Sequence, residues 1–385
     1  MKDVFITDLA AFLPNNPVSN EEMDNVIGTV EHIPTRVKRI VLKSNAIQTR
    51  YYAIDPKTGK TTHTNAQLAA EAVRRLKPYE SFSLSDIECL CCGTATPDQL
   101  MPGHGLMVHG ELKSGPCEVV STASVCISGM TSLKYAYMNV ALGLSRNAVA
   151  VGSDVASPSL RARSYKGVVN EEKVEDAGKK GEVLPFDTVF LRWMLSDAAG
   201  AAFMTADRQT DNVSLKIEWI ENISFAGEME TCMYSGAKKN SDGSITGWRE
   251  FTSPEEALKD GAFLIQQDVK LLNSDIMYVS VDKTLPHIVK KHGLSASGID
   301  WLLPHYSSGY FRQRYYDQLK SFGFEIPYDK WFTNLSYKGN TGAASMYVML
   351  EELFHSGKLE KGQKILCYIP ESARFSVCYV MLTVV

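Results

Sequence analysis

The two halves of the chain carry the same succession of segments, and this repetition constrains the fold more than any other feature of the sequence. Residues 85–93 contain a polar turn, an isoleucine, an acidic residue and an apolar run, and residues 297–305 repeat that order. Residues 124–154 and 337–371 both begin with small and polar residues, continue through a helical stretch and end in a β-rich run. Two matches in the same order indicate a duplicated unit.

Spacing and periodicity support the duplication. Gly93 lies 33 residues before Cys126, and His305 lies 35 residues before Asn340. The second segment of each half has apolar residues at the i, i+3, i+4, i+7 spacing of an amphipathic helix. These residues are Leu133, Ala136, Tyr137, Val140 and Ala141 in the first half and Met346, Met349, Leu350 and Leu353 in the second.

A strand-like segment completes each copy, at residues 198–207 and at residues 374–385. Strands that alternate with helices predict an α/β fold in which mixed sheets are sandwiched between helices. We predict two halves, residues 1–205 and 206–385, that fold together because each alone would lack a partner for one hydrophobic face. The polar, charged stretch at about 158–192 interrupts the first half, and we expect this insertion near the mouth of the site or at a partner surface.

Composition favours a soluble cytoplasmic protein. The net charge of −4 over 385 residues, without a block of like charges, indicates neither a nucleic-acid partner nor an anionic membrane surface. Apolar runs are shorter than the ~18 residues that span a bilayer. The N-terminal residues 1–14 resemble a first strand and a turn rather than a signal peptide, because Asp3 and Asp8 interrupt their apolar character. We therefore predict no membrane insertion.

Most cysteines lie in apolar, strand-like runs, where free thiols pack as small hydrophobic groups. The group Cys89, Cys91 and Cys92 has no second Cys/His cluster nearby, so we predict no metal site. Cys126 differs because its neighbours are small and polar, and it lies at a predicted strand-to-helix turn. The positive end of a helix favours a thiolate, and its free N–H groups can stabilise an oxyanion, so Cys126 is a candidate nucleophile.

Two residues of the second half are candidate partners of Cys126. His305 follows an apolar run, at the carboxyl end of a predicted central strand, where open α/β sheets bind their ligands. Asn340 opens the helical stretch that corresponds to the one after Cys126. All three residues also have purely structural interpretations. Cys126 could be a small residue at a tight turn, His305 a packed histidine and Asn340 an N-cap. Duplication would nevertheless bring all three polar groups to one cavity.

The whole chain resembles the thiolase superfamily, and within it the β-ketoacyl-acyl-carrier-protein synthase III group of condensing enzymes. The resemblance lies in the turn around Cys126, in Val151–Asp154, in Leu303–His305, and in Gly339–Thr341 with Ala343–Ser345. Residues 195–201 resemble the glycine-rich segment of the family, and residues 45–50 resemble its early arginine segment. It implies a layered αβαβα fold of two duplicated halves.

The resemblance also implies an acyltransferase without a cofactor. Cys126 would accept an acyl group from an acyl-carrier-protein or coenzyme A thioester. His305 and Asn340 would stabilise the enolate formed when a malonyl- or β-ketoacyl-type thioester decarboxylates, in fatty-acid or polyketide-like biosynthesis. Related enzymes are homodimers, and the region of Met101 resembles the segment that reaches the neighbouring acyl pocket.

The sequence departs from the family in its last hairpin, where the usual glycines are replaced by residues 369–376. A backbone N–H of Ser372 or Ala373 could still serve the oxyanion hole, and we expect Glu371 and Arg374 to pair with each other or with the loop. Together with the insertion at about 158–192, this departure makes the chain resemble a specialised ketosynthase that couples and cyclises two acyl chains towards dialkylresorcinol-type products more than an enzyme of fatty-acid initiation. Two further alternatives stay open: a non-decarboxylating acyltransferase of the same fold and a non-catalytic partner of an active subunit.

Overall fold

The structure of the protein is a computed structural model that describes residues 1–30, 33, 35–166, 168, 186–208 and 213–385. Of the predicted insertion at about 158–192, residues 167 and 169–185 lie outside the described part.

The strands vary from two to ten residues in length. They are β1 (Phe5–Phe12), β2 (Val18–Ser19), β3 (Thr49–Arg50), β4 (Cys89–Thr94), β5 (Glu118–Ala123), β6 (Asn147–Asp154), β7 (Ala198–Thr205), β8 (Leu215–Ser224), β9 (Met233–Tyr234), β10 (Ala237–Lys239), β11 (Ile245–Gly247), β12 (Gln266–Gln267), β13 (Trp301–Pro304), β14 (Lys364–Glu371) and β15 (Ser376–Val384).

The α-helices lie between these strands in the chain. They are α1 (Met23–Ile27), α2 (Thr35–Asn45), α3 (Asn65–Arg74), α4 (His104–Leu112), α5 (Ser128–Ala141), α6 (Phe186–Val189), α7 (Pro254–Lys259), α8 (Val269–Met277), α9 (Leu285–His292), α10 (Tyr310–Ser321), α11 (Leu335–Lys338) and α12 (Ser345–Phe354).

Nine strands form one mixed sheet in the order β13-β14-β15-β8-β1-β7-β6-β4-β5. On one side of the β1–β8 pair, β6 is parallel to β4 and antiparallel to β7. On the other side, β14 is parallel to β13 and antiparallel to β15. The two sides therefore repeat one strand arrangement, which the duplication predicts. Beyond them, β5 pairs with β4 over six residues, whereas the outer edge of β13 forms only a single parallel bridge, between Leu302 and Trp331, in the described residues.

Three buried layers of side chains separate the strands from the helices. One layer lies between α3, α4 and the strands of the first half, and another lies between α8, α9, α10 and the strands of the second half. The middle layer contains α5 and α12 and receives side chains from both halves. Along β15, Cys378 and Val380 face the middle layer and Tyr379 and Met381 face the outer one, as strand alternation requires. The predicted layered αβαβα fold is confirmed.

The segments with strong local periodicity fold as the sequence predicts. The two helical patterns form α5 and α12, and the two closing segments form β7 and β15. β7 ends at Thr205 and β8 begins at Leu215. Sequence analysis missed the short strands β9 to β12, which pair as β10–β11 and β9–β12 between the core strands of the second half, because strands of two or three residues have no measurable period.

Candidate active site

Cys126 lies in the short turn between the end of β5 and the start of α5. The backbone N–H of Ser128 donates to the carbonyl of Val125 at 3.1 Å, which closes the turn around the cysteine. β4 runs directly beneath the helix start, since a Cβ added to Gly93 would lie 2.3 Å from the Ser128 carbonyl oxygen. The thiol is free and partly buried, as the interpretation of Cys126 as a nucleophile requires.

The expected preference for a thiolate at Cys126 is wrong for the isolated chain. Burial, followed by the nearby carboxylates of Glu371 and Asp154, raises the pKa of the Cys126 thiol well above its usual range. α5 begins two residues after Cys126, and the Glu371 carboxylate accepts hydrogen bonds from the amides on both sides of the cysteine, so a negative charge lies at this helix start. Cys126 is therefore a thiol at neutral pH.

His305 directly follows β13, as the sequence predicts, and its side chain is buried. Its backbone N–H donates to the Tyr368 carbonyl of β14 at 2.8 Å, which extends the parallel pairing by one residue. Within the described part of the chain, its imidazole has no hydrogen-bond partner. Burial lowers the pKa of His305 to about 4, so the ring is neutral at pH 7 and keeps one donor and one acceptor nitrogen.

Asn340 is buried in an extended segment between α11 and α12. Its backbone N–H donates to the Met194 carbonyl at 3.0 Å, and its own carbonyl accepts from the Ser196 N–H at 2.8 Å. The side-chain Oδ1 accepts from the Gly342 N–H at 3.1 Å, so the amide does cap the following turn. The capping and functional interpretations are compatible, because Nδ2 donates to no acceptor in the described residues and stays available to a ligand.

The helix starts that follow Cys126 and Asn340 face each other, as duplication predicts. A Cβ on Gly129, three residues after Cys126, would lie 2.2 Å from the carbonyl oxygen of Ala343, three residues after Asn340. The Tyr347 hydroxyl of α12 donates to the Gly129 carbonyl at 2.7 Å. Equivalent positions of the two halves are therefore in direct contact.

Asp154, at the end of β6, links the same two segments through its carboxylate. Oδ2 accepts from the Ala343 N–H at 2.7 Å, and Oδ1 accepts from the backbone and side chains of residues 94–96. A Cβ on Gly342 would approach Oδ2 to 2.1 Å, so the carboxylate requires a glycine there. Sequence analysis placed Asp154 in a family motif but missed this contact; its signal is an acidic residue at the carboxyl end of a buried strand.

Contacts to β14 connect Cys126 with His305. Tyr368 accepts the His305 N–H, and Glu371, three residues further along β14, accepts hydrogen bonds from the turn that holds Cys126. Asn340 joins the same region through the Gly129–Ala343 contact. No hydrogen bond in the described residues links the three side chains directly. The site is held together by contacts between the backbone segments that carry them.

The structure corrects the expectation that Glu371 and Arg374 pair with each other. The Glu371 carboxylate accepts hydrogen bonds from the Cys126 turn, whereas Arg374 Nε donates to the Met229 carbonyl at 3.0 Å. Glu371 ends β14 and reaches the first half of the chain, whereas Arg374 lies in the turn after β14, so the two side chains bind different segments.

Ser372 and Ala373 occupy the turn between β14 and β15, where the sequence places them. The Ser372 hydroxyl accepts from Gln267 Nε2 at 2.6 Å, and the Ala373 carbonyl accepts from the Cys232 N–H at 2.8 Å. Their role in an oxyanion hole stays a prediction.

Met101 lies on the surface with 82% of its area exposed, so in the isolated chain it lines no closed acyl pocket.

Two further findings bear on the chemistry. Among the residues that the structure describes, no three His, Cys, Asp or Glu side chains are grouped so that they could hold a metal ion. In the same residues, no helix has the length and apolar character needed to cross a membrane.

Comparison with known proteins agrees with this geometry. Residues 289–368 match the family described as 3-oxoacyl-[acyl-carrier-protein (ACP)] synthase III C terminal. The β-ketoacyl-[acyl-carrier-protein] synthase III of Neisseria gonorrhoeae (strain NCCP11945) is 23% identical over 366 residues, which cover 94% of this chain and 93% of the relative.

Solved structures share the fold over the full length. AbyA1, described as a tetronic acid condensing enzyme, matches with a TM-score of 0.72 at 19% identity over 99% of both chains. A variant of OleA from Xanthomonas campestris with bound lauric acid and lauroyl-CoA matches with a TM-score of 0.75 at 17% identity over 99% of both chains. The chain is thus similar to β-ketoacyl-[acyl-carrier-protein] synthase III over most of its length, and it shares the fold of these condensing enzymes.

Proposed function

We propose that the protein is an acyltransferase that loads an acyl group onto Cys126 and condenses it with the enolate of a decarboxylated malonyl- or β-ketoacyl-type thioester. The observation that carries this proposal is the combination, around one pair of helix starts, of a free thiol, a neutral imidazole and an amide whose Nδ2 has no acceptor in the described part of the chain. The family relationship supports the same reaction class.

The first half-reaction is acyl transfer. The sulfur of Cys126 attacks the carbonyl carbon of the donor thioester, the tetrahedral oxyanion collapses, and the carrier thiol leaves with the proton of Cys126. Because the thiol is protonated at neutral pH in the isolated chain, this proton must move during the attack. The neutral ring of His305 has one unprotonated nitrogen and is the group best suited to accept it.

The second half-reaction needs donors to the carbonyl oxygen of the extender thioester. His305 and Asn340 are both uncharged, and each has an N–H without a partner among the residues that the structure describes, so they stabilise an enolate oxygen without placing a negative charge beside the forming carbanion. Carbon dioxide leaves, the carbanion attacks the acyl carbon on Cys126, and the sulfur is released as the new carbon–carbon bond forms.

Thioesters of acyl carrier protein or coenzyme A are the proposed substrates, and no cofactor takes part. The names of relatives support this choice, since they are β-ketoacyl-[acyl-carrier-protein] synthases, and lauroyl-CoA is bound by the OleA variant. We also propose that the protein acts as a cytoplasmic homodimer, in which the exposed Met101 of one subunit covers the acyl pocket of the other.

The roles of the three residues can be separated by substitution. Incubation with a panel of acyl thioesters should add an acyl mass to the wild-type protein, add it more slowly to His305→Ala because the proton acceptor is lost, and add none to Cys126→Ala. Release of carbon dioxide from malonyl thioester should persist in Cys126→Ala and fall by roughly 100-fold in His305→Ala or Asn340→Ala, as expected for loss of an oxyanion donor. An acyl mass on Cys126→Ala would refute the assignment of the nucleophile.

A specialised coupling of two acyl chains is the second candidate, favoured by the replacement of the usual glycines by Glu371 and its neighbours. The substrate panel distinguishes it from ordinary chain initiation. Preference for a long β-ketoacyl thioester over malonyl thioester as the second substrate indicates coupling. A product formed without carbon dioxide indicates the non-decarboxylating acyltransferase.

A further inference from the structure

Glu371 is a buried carboxylate, only 3% exposed, that reaches from the second half of the chain to the turn holding Cys126. Its Oε2 accepts from the N–H of Val125 at 3.1 Å and from the N–H of Ile127 at 3.2 Å. The Ser124 hydroxyl lies 2.7 and 2.8 Å from the two carboxylate oxygens. These contacts join residues more than 240 positions apart in the chain.

Hydrogen-bond acceptors of other residues bind the backbone amides on either side of Cys126 but not the amide of Cys126 itself. Glu371 takes the amide before Cys126 and the amide after it, and the next amide, that of Ser128, donates to the Val125 carbonyl. The N–H of Cys126 itself interacts with its own thiol sulfur and donates to no acceptor of another residue in the described part of the chain. The carboxylate therefore holds the turn in a conformation in which this one backbone donor, next to the nucleophilic sulfur, is bound by no other residue that the structure describes.

Glu371 is held by these donors and not by a cation. In the described part of the chain it forms no ion pair with a lysine, arginine or histidine, and the neighbouring Arg374 donates to the Met229 carbonyl. A buried carboxylate is costly unless hydrogen bonds satisfy it, so its contacts with the turn are strong constraints on both partners. The position of Glu371 also has a disadvantage, because its negative charge opposes formation of a thiolate at Cys126.

We propose that Glu371 is a positioning residue for acyl transfer: it fixes the Cys126 turn so that the Cys126 N–H is free to bind the oxyanion of the acyl group. This inference rests on the proposed function, because an oxyanion forms only if Cys126 attacks a thioester. The last hairpin of this chain lacks the usual glycines. The side chain of Glu371 in that hairpin instead orients a donor of the oxyanion hole.

Two reactions of the same sulfur separate positioning from reactivity. Alkylation of Cys126 by iodoacetamide is a displacement that forms no oxyanion, whereas acylation by a thioester forms one. In Glu371→Ala, we expect alkylation at wild-type rate or faster, because a negative charge beside the thiol is removed. Acyl-enzyme formation should fall by roughly 100-fold, as when an oxyanion-hole donor is lost. Both rates are read by intact-protein mass spectrometry.

Conservative variants and a control complete the experiment. Glu371→Gln keeps an oxygen that accepts from both amides and should restore acylation to within a few-fold of wild type. Ser124→Ala removes one donor to the carboxylate and should give an intermediate loss. Glu221→Gln, which alters a partly buried carboxylate paired with Lys291 and His292, is the matched control and should leave both rates unchanged.

Four outcomes would overturn the inference. Acylation of folded Glu371→Ala at near wild-type rate refutes positioning, and so does an equal fall in alkylation and acylation, which indicates a disrupted turn. If Glu371→Ala does not fold, failure of Glu371→Gln to acylate faster than Ser124→Ala has the same meaning. A wild-type protein that is alkylated at Cys126 but acylated by no thioester refutes the proposed function itself, and the inference with it.

Discussion

At the scale of single residues, the site depends on polar groups that are removed from water and left uncharged. His305 is buried without a hydrogen-bond partner in the described residues, and burial lowers its pKa to about 4. His104, at the start of α4, is buried beside Ser153, and its pKa is also lowered to about 4 by burial. Two histidines are therefore kept neutral by the fold, which has a measurable effect on stability.

We predict that His305 and His104 each make the protein less stable in acid. Because each folded pKa lies below the unfolded value of about 6.5, the unfolded chain binds more protons between these two values. The free energy of unfolding should fall as the pH drops through that window, by about 2 kcal/mol per histidine between pH 8 and pH 5. Urea denaturation at both pH values measures it.

Substitution of each histidine shows which residue causes the loss of stability in acid. His305→Gln and His104→Gln should each show a smaller difference between pH 8 and pH 5 than the wild type, whatever their stability at pH 8. His287→Gln, which changes an exposed histidine of α9, should keep the wild-type difference. If His305→Gln and His104→Gln both keep the wild-type difference in the free energy of unfolding between pH 8 and pH 5, the prediction is contradicted.

At the scale of elements, the meeting of α5 and α12 determines the geometry of the site. Gly129 of α5 packs against the Ala343 carbonyl, and Tyr347 of α12 donates across the gap to the Gly129 carbonyl. The two helices can start this close together only because a side chain is missing at position 129. The pair of helix starts then carries Cys126 on one side and Asn340 on the other.

We predict that Gly129→Ala destabilises the protein. The new methyl group would lie 2.2 Å from the Ala343 oxygen and 3.1 Å from a ring carbon of Tyr347, so the helix starts must separate. The cost should be at least about 2 kcal/mol, as for other overpacked interiors. Thermal or urea unfolding measures it.

Gly110→Ala is the matched control, because Gly110 lies in α4 and a Cβ there would meet no atom within 4 Å. Replacement of an unconstrained helical glycine by alanine should stabilise the protein by about 0.5 kcal/mol. Equal stability of the two variants would mean that α5 and α12 do not meet as described.

At the scale of the whole molecule, one edge of the nine-stranded sheet is unprotected. β5 is the terminal strand of the sheet, and its side chains are exposed or half-buried. Apolar residues on either side of this edge are also exposed in the isolated chain: Leu100, Met101, Leu106, Met138, Leu142 and Leu144. An open strand edge with flanking apolar surface is a common site of association.

We predict a homodimer formed through this edge. Tyr135 and Asn139 of α5 donate to Glu118 of β5, so Met138 and Leu142, on the same side of the helix, flank the edge strand. Sedimentation velocity at micromolar concentration should show a dimer for the wild type and a monomer for the double variant Met138→Glu with Leu142→Glu. Leu258→Glu, at an exposed apolar residue of α7, should remain dimeric, and a monomeric wild type would contradict the prediction.

The sequence alone determined the repeated arrangement, the helices α5 and α12, and the strands that end each half, since these follow from local periodicity and spacing. It also identified Cys126, His305 and Asn340 as candidates, because duplication and family resemblance select strand ends and helix starts. The small strands β9 to β12 escaped, since their pairing depends on distant contacts rather than on a local pattern.

Tertiary structure alone decided the chemistry around the cysteine. A helix start predicts a thiolate at Cys126, but burial and the carboxylates of Glu371 and Asp154 reverse that expectation. Glu371 reaches Cys126 from more than 240 residues away, so no local pattern could predict that it binds the turn instead of Arg374. A pKa and a hydrogen bond depend on which distant groups the fold brings together, and these are set by packing rather than by sequence neighbours.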